Sequence, residues 1–302
     1  MGSKTVILVT GATGMAGTEV CAHLATIPGV EVRAALHSPE KRRLLPESVT
    51  AVPFDTEKPA TVDAAFEGVD KLFLLTPGGP PGPIATRVVV EAAKSHPVQG
   101  IVKLSSLDPN SQPQAPTDLW ALETEAMVRD TGIPFTFLQP PWFDQNFTLG
   151  YFVPMVMQRL LALPFGDGVA GWVDTRDIAA VAARALLEDG HEGRTYTPTG
   201  PATISLGEIA ETLSQVTGCE IRFQHLTDDQ WVEAMLAAGR LEVDARATLA
   251  LISKTRDGHA TQLTDDVERV TGAKPRSFAQ FARDHAEILT SLANTPPPQV
   301  TT

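Results

Sequence analysis

The sequence predicts an α/β fold, a doubly wound parallel sheet with a smaller α/β lobe, and three observations predict it. Apolar runs of strand length alternate with helix-length segments through the first half of the chain. The first run, Thr5-Val6-Ile7-Leu8-Val9, has the unbroken apolar character of a strand buried on both faces. Directly behind it come a glycine turn, Gly11-Ala12-Thr13-Gly14-Met15-Ala16-Gly17, and a helical stretch from Thr18 to Ile27.

The later elements follow in order. Glu31 to Leu36 reads as a second strand and Pro39 to Leu45 as a short helix. Val49 to Phe54 is a third strand, and Val62 to Glu67 lies on the next helix. Lys71 to Leu75 is a fourth strand, closed by the breakers Pro77-Gly78-Gly79-Pro80-Pro81-Gly82-Pro83. A helix through Ile84 to Ser95, a fifth strand at Gly100 to Ser105, a helix at Leu119 to Thr131 and a sixth strand at Phe135 to Leu138 complete the series.

Beyond Pro140 the rhythm changes. Val173-Asp174-Thr175-Arg176-Asp177-Ile178 opens an Ala-rich helix to about Glu188, with Asp174 and Asp177 spaced as an N-cap and an N3 carboxylate. Two more helices are expected near Leu206 to Thr217 and Asp228 to Ala238. A first domain therefore spans 1–148, with 172–190 returning to it. Residues 149–171 and 191–292 form the smaller lobe, and the Pro-rich 293–302 is a disordered tail.

With 302 residues, 43% of them hydrophobic, the chain can bury a sizeable core. A net charge of −12 argues against a nucleic-acid partner held by phosphate neutralisation. The two cysteines, Cys21 and Cys219, fit a reduced, cytoplasmic setting better than a disulfide framework. No His or Cys spacing suggests a metal site. The chain enters its first strand too early for a signal peptide. The apolar stretch from Tyr151 to Phe165 is too short and too interrupted, by Pro154, Gln158, Arg159 and Pro164, to span a membrane.

A strand, a glycine turn and a helix start make a pyrophosphate site, because glycines admit the phosphates to the backbone and the helix N-terminus offers N–H groups and partial positive charge. Gly11, Thr13, Gly14, Met15, Ala16 and Gly17 are the expected cradle of a dinucleotide on a Rossmann sheet. The Gly-x-x-Gly-x-x-Gly spacing within Val9-Thr10-Gly11-Ala12-Thr13-Gly14 resembles the extended and atypical short-chain dehydrogenase/reductases. More narrowly, the chain resembles their NmrA-like branch, including its NAD(P)H:quinone reductase-type members. Asp144-Gln145-Asn146-Phe147, Val173 to Ala179 and Thr264 to Phe278 carry the resemblance to the end of the chain.

At the second-strand tip, Ala34-Ala35-Leu36-His37-Ser38, there is no carboxylate to accept from a ribose 2′-OH. His37 with Lys41 and Arg42, and Arg43 beside them, suits a 2′-phosphate, so NADP(H) is expected in preference to NAD(H). The resemblance implies that Asp55 meets the adenine amino group and that Thr76-Pro77 lies by the ribose and pyrophosphate.

Typical short-chain dehydrogenases carry Tyr-x-x-x-Lys on the helix after the fifth strand. Counting back from Gly132-Ile133-Pro134, the matching positions are Ala121 and Glu125, so the usual proton donor is missing. Ser105 and Ser106 stand where the family places its substrate-facing hydroxyl and can polarise a carbonyl. Glu125 is expected to accept from ribose hydroxyls or orient a water, and Asp118 is an acid only if burial raises its pKa. Trp120, Trp142, Phe143, Phe147, Phe152, Met155 and Trp172 are expected to line a flat apolar cavity. Pro140 and Asn146 stand in the segment that resembles the family's substrate-pocket mouth.

Without the tyrosine, an alcohol–ketone reaction lacks its donor. A quinone accepts hydride more easily, since the charge spreads over a ring that becomes aromatic. The expected function is therefore NADPH-dependent reduction of a quinone or polycyclic aromatic quinone, with a small-molecule substrate and a coupled hydroxylation within reach. Reduction of an activated double bond or imine would use the same frame. The alternative is a redox sensor that binds NADP(H), turns nothing over and regulates a partner protein. The oligomeric state is left open.

Overall fold

Strand β1 (Thr5–Val9) is central to a seven-stranded, all-parallel sheet, and its Ile7, Leu8 and Val9 are fully buried. This computed structural model describes residues 4–112 and 115–295. The chain divides into two units: 1–140, 175–198 and 266–273 form the first, and 141–174, 199–265 and 274–302 the second.

In the first unit, β1 leads through the glycine turn to helix α1 (Met15–Leu24). Strand β2 (Val30–Leu36), a 3-10 turn (Pro39–Leu44) and strand β3 (Thr50–Pro53) follow. Helix α2 (Pro59–Phe66), strand β4 (Lys71–Leu74), helix α3 (Pro81–Ser95) and strand β5 (Gly100–Leu104) come next. Helix α4 (Pro116–Arg129) and strand β6 (Phe135–Leu138) end the continuous stretch. Helices α2, α3 and α4 cover one face of the sheet, where Val62, Phe66, Val89, Val90 and Val128 pack with Leu72, Leu74, Ile101 and Phe137. The prolines before Ile84 do not delay α3: Pro81 and Pro83 sit in its first turn, where a missing N–H costs nothing.

The chain then enters the second unit with helix α5 (Val153–Met157) and strands β7 (Leu160–Leu163) and β8 (Val169–Ala170). It returns to the first as helix α6 (Thr175–Leu187), which packs against α1, and strand β9 (Thr195–Tyr196), which pairs in parallel with β6. The sheet order is β3-β2-β1-β4-β5-β6-β9, the reversal of a doubly wound fold lying between β1 and β4.

The remaining second-unit elements are strand β10 (Ile204–Ser205), helix α7 (Leu206–Thr217), strand β11 (Arg222–His225), helix α8 (Asp228–Ala237) and helix α9 (Glu242–Arg256). Helix α10 (Asp266–Thr271) goes back to the first unit and packs on α6, before α11 (Phe278–Asp284) and α12 (Ala286–Asn294) close the second. Strand β11 pairs in parallel with β7, and β10 antiparallel with β8. Ser205 and Glu208 form a reciprocal capping box at the start of α7, and Gly218 (φ +69°) ends it.

Several boundaries differ from the sequence expectation. Residues 141–148 belong to the second unit, because the Phe143 strand bridge and the Asp144 amide are both satisfied by Val173. Residues 191–198 and 266–273 belong to the first, through the β6–β9 pairing and the Thr197 amide on the Asp266 carboxylate, 2.6 Å away. The tail expected from 293 begins inside α12, which runs to Asn294; its part from 296 lies outside the described residues. Among the described residues no helix is long and apolar enough to cross a membrane, and no three His, Cys, Asp or Glu side chains are grouped to hold a metal.

Candidate active site

The glycine turn is built for close approach. Gly11 has φ +61°, which a side chain would strain, and a Cβ there would lie 2.8 Å from the Leu75 side chain. Gly17 lies inside α1, where a Cβ would stand 2.1 Å from the Gly11 carbonyl oxygen. Helix and turn therefore touch backbone to backbone. Gly14, an exposed N-cap without a side chain, leaves the entrance to the helix N-terminus clear. The first amides of a helix lack intrahelical acceptors and carry the positive end of its dipole, so this end fits a pyrophosphate. Thr13 and Met15 are half-buried at its rim, whereas Ala16 and Gly17 are buried beneath it.

At the β2 tip, His37 is exposed and its Nδ1 lies 3.8 Å from Asp55 Oδ1. Asp55 also accepts from Lys58 Nζ at 2.8 Å and from the Glu57 amide at 3.0 Å. The hydrogen bond from Lys58 is the main reason its carboxyl stays below its ordinary range. Arg42 departs from the expectation of a phosphate ligand. Its guanidinium donates to the carbonyls of Leu45 and Glu47, both at 3.0 Å, and closes its own loop. Lys41 and Arg43 are exposed and make no such bond. At the end of β4, the Thr76 hydroxyl is 2.9 Å from that of Thr86, and Pro77 is exposed.

The most constrained cluster surrounds the end of β5. Ser105 Oγ donates to Glu125 Oε1 at 2.6 Å, and Gln139 Nε2 donates to the same oxygen at 2.8 Å. Arg129 donates to Oε2 at 2.9 Å while its guanidinium lies 4.7 Å from the centre of the Phe137 ring. Glu125 is wholly buried, so it does not reach ribose hydroxyls or solvent; its carboxylate is taken up in holding Ser105 and Gln139. This corrects its expected role. A serine has one hydroxyl proton, and that of Ser105 is given to Glu125. Ser106, half-buried beside it, has no hydrogen bond to the described residues. Asp118 is buried with its carboxylate on the Ala115 amide at 2.7 Å, which makes it a helix cap.

Two side chains here escaped the sequence reading. Lys103 lies 4% exposed in β5, two residues before Ser105. Its signal was a single charge inside the run Ile101-Val102-Lys103-Leu104. Gln139 carried no signal beyond its place one residue past β6.

Of the expected substrate contacts, Trp120 is half-buried on α4 in the first unit, and Pro140 is buried. In the second unit, Trp142, Phe143 and Met155 keep part of their surface exposed. Phe152 does not: it is wholly buried, with ring centres 5.1 to 6.1 Å from Phe147, Trp142 and Trp172, and serves as core. Asn146 is also local structure, its amide donating to the Phe143 carbonyl at 2.9 Å.

The family model describing NmrA-like proteins matches residues 3–287. The chain belongs to the NmrA-like family. Among NmrA-like relatives, the NAD(P)H azoreductase of Xenophilus azovorans is 34% identical over 286 residues, 93% of this chain and 98% of the relative. A (4-alkanoyl-5-oxo-2,5-dihydrofuran-3-yl)methyl phosphate reductase of Streptomyces griseus is 36% identical over 284 residues, again 93% and 98%. The NADPH-dependent quinone oxidoreductase QOR2 of Escherichia coli, solved with NADPH, superimposes with a TM-score of 0.79 at 26% identity, covering 95% of this chain and 100% of that one.

Proposed function

We propose that this NmrA-like chain is an NAD(P)H-dependent oxidoreductase that passes hydride from NADPH to a quinone or a polycyclic aromatic quinone. Its relatives support the reductase class: each of the three above is named as a reductase or an oxidoreductase. The observation that carries the quinone reading is the β5 terminus. It offers one uncommitted hydroxyl, Ser106, and α4 has Ala121 where a tyrosine would protonate an alkoxide.

NADPH, when bound, supplies the hydride. The glycine turn and the α1 N-terminus hold its pyrophosphate, and Lys41 and Arg43 favour its 2′-phosphate beside His37. Ser106 donates to the substrate oxygen on which negative charge gathers. A ring that delocalises this charge asks less of the donor than a simple ketone does, so one hydroxyl and correct alignment suffice. Trp120, in the same unit, presents aromatic surface for a flat substrate.

The test is an anaerobic titration with NADPH and NADH, followed by benzo-, naphtho- and anthraquinones and an azo dye. Quinone-dependent loss of nicotinamide absorbance supports the proposal, and product analysis separates a free hydroquinone from an oxygenated compound. Tight NADPH binding with every acceptor inert replaces it with the sensor reading. Turnover of the azo dye alone moves the substrate class.

A further inference from the structure

We propose that Lys103 is a positioning residue for this reaction: its buried ammonium helps to balance the Glu125 carboxylate, so that negative charge arriving on the substrate at the end of β5 is less opposed by the carboxylate below it. The inference rests on the reductase reading.

The geometry is specific. Side chains alternate across a strand, so Lys103 and Ser105 share the face covered by α3 and α4. Lys103 Nζ donates to the Leu104 carbonyl at 3.2 Å, which brings the ammonium up to the strand end next to Ser105. Its strand neighbours are Leu74 and Phe137, both fully buried and apolar. The α3 side chains in the apolar cluster on this face include Val89 and Val90, both uncharged. From α4, Glu125 reaches this strand end: its inner oxygen accepts from Ser105, the next residue of that face, and Arg129 holds its outer oxygen. Glu125 is the charge that acts on Lys103.

A buried ammonium is costly, and a central parallel strand ordinarily avoids one. Arg129 already pairs with Glu125 but is about half exposed, so solvent screens its charge. Lys103 is screened far less. Burial lowers its ammonium from the usual lysine range to about 8, with the negative charge of Glu125 opposing the fall. At neutral pH the lysine is charged. As pH rises through about 8 it becomes neutral, and of the two positive charges acting on Glu125 the half-exposed Arg129 is left.

Activity and stability therefore move in opposite directions over one pH range. Because the folded-state value is below that of the unfolded chain, the unfolded state binds more protons above pH 8. Stability from this group is fully present above about 10.5 and is lost as pH falls through about 8. Turnover instead falls as pH rises through about 8.

The experiment measures kcat for the preferred quinone, NADPH binding by nicotinamide fluorescence, and the thermal midpoint from pH 6 to about 10. The subjects are the wild type, Lys103→Met, Glu125→Gln and Lys103→Met/Glu125→Gln. The expected result is a wild-type kcat that declines through about pH 8 while the midpoint gains over the same range. Lys103→Met loses about tenfold in kcat at pH 7 with NADPH affinity within about twofold, and lacks both pH transitions. The double variant, with both charges removed, recovers to within about threefold of Glu125→Gln. A Lys103→Met enzyme with wild-type kcat, a double variant no better than Lys103→Met, or a wild-type kcat flat through pH 8 each overturns the proposal and leaves the reductase reading standing. The flat profile decides the matter even when a variant does not fold. A wild type that reduces no acceptor overturns both.

Discussion

Ser105 and Ser106 are adjacent and chemically identical, yet their surroundings give them different work. Ser105 has spent its proton on Glu125 and faces any other partner as an acceptor. Ser106 retains a free proton to donate. Ser106→Ala is accordingly expected to lower kcat/KM for a quinone on the order of tenfold or more. Ser105→Ala, which leaves Gln139 and Arg129 on Glu125, is expected to cost only about threefold. Steady-state kinetics of the two variants decide the assignment, and a larger loss for Ser105→Ala inverts it. The sequence brought both serines forward but not this division. The Glu125 contacts span 20 residues to Ser105 and 14 to Gln139, and no local pattern encodes such separations. Lys103 was hidden for a related reason. One charge in an apolar run reads as an interruption until the fold shows which carboxylate lies across from it.

At the scale of elements, the glycine turn and α1 act as one part because they meet at Gly17. Gly17→Ala forces its Cβ against the Gly11 carbonyl, and either the helix or the turn must move. The expected cost is on the order of 2 kcal/mol in stability. NADPH affinity should fall at least about tenfold, since the phosphate cradle deforms. Denaturant unfolding and fluorescence titration check the two numbers, and an unchanged Kd would detach the turn from cofactor binding. Elements with local signatures were readable in the sequence: Leu206–Thr217 was placed to the residue, bounded by a capping box and a left-handed glycine. Helix α9 was not, because its charged residues Glu242, Asp244, Arg246, Lys254 and Arg256 blur the apolar period. The β7–β11 pair joins segments far apart in the chain, and such pairing leaves little trace in either segment alone.

For the whole molecule, a ligand that binds only the folded state stabilises it by mass action. NADPH at a hundred times its Kd contributes about 2.7 kcal/mol. A calorimetric scan should show the midpoint raised by roughly 5 °C. NADH at the same concentration should give a smaller shift, given the 2′-phosphate preference argued from Lys41 and Arg43. Equal shifts would remove that preference. The fold class was readable at this scale because alternating strands and helices admit few arrangements. The chain crosses between the units five times. The first return was expected near 172–190, but its extension through β9 and the second return at α10 were not, since β9 has two residues and α10 six, too short for periodicity to register.

The first return also bears on how the chain is made. The buried face of α1, Ala16, Gly17, Val20, Cys21 and Leu24, is covered by α6, and the open edge of β6 by β9. On the ribosome both covers emerge only after the first six strands of the sheet and the opening of the second unit. Until then a nascent chain carries an uncovered helix face and an unpaired strand edge, the two features that recruit chaperones and seed aggregation. Slowing translation between 141 and 174 would prolong this exposure, and soluble yield would register the delay before any property of the finished protein did.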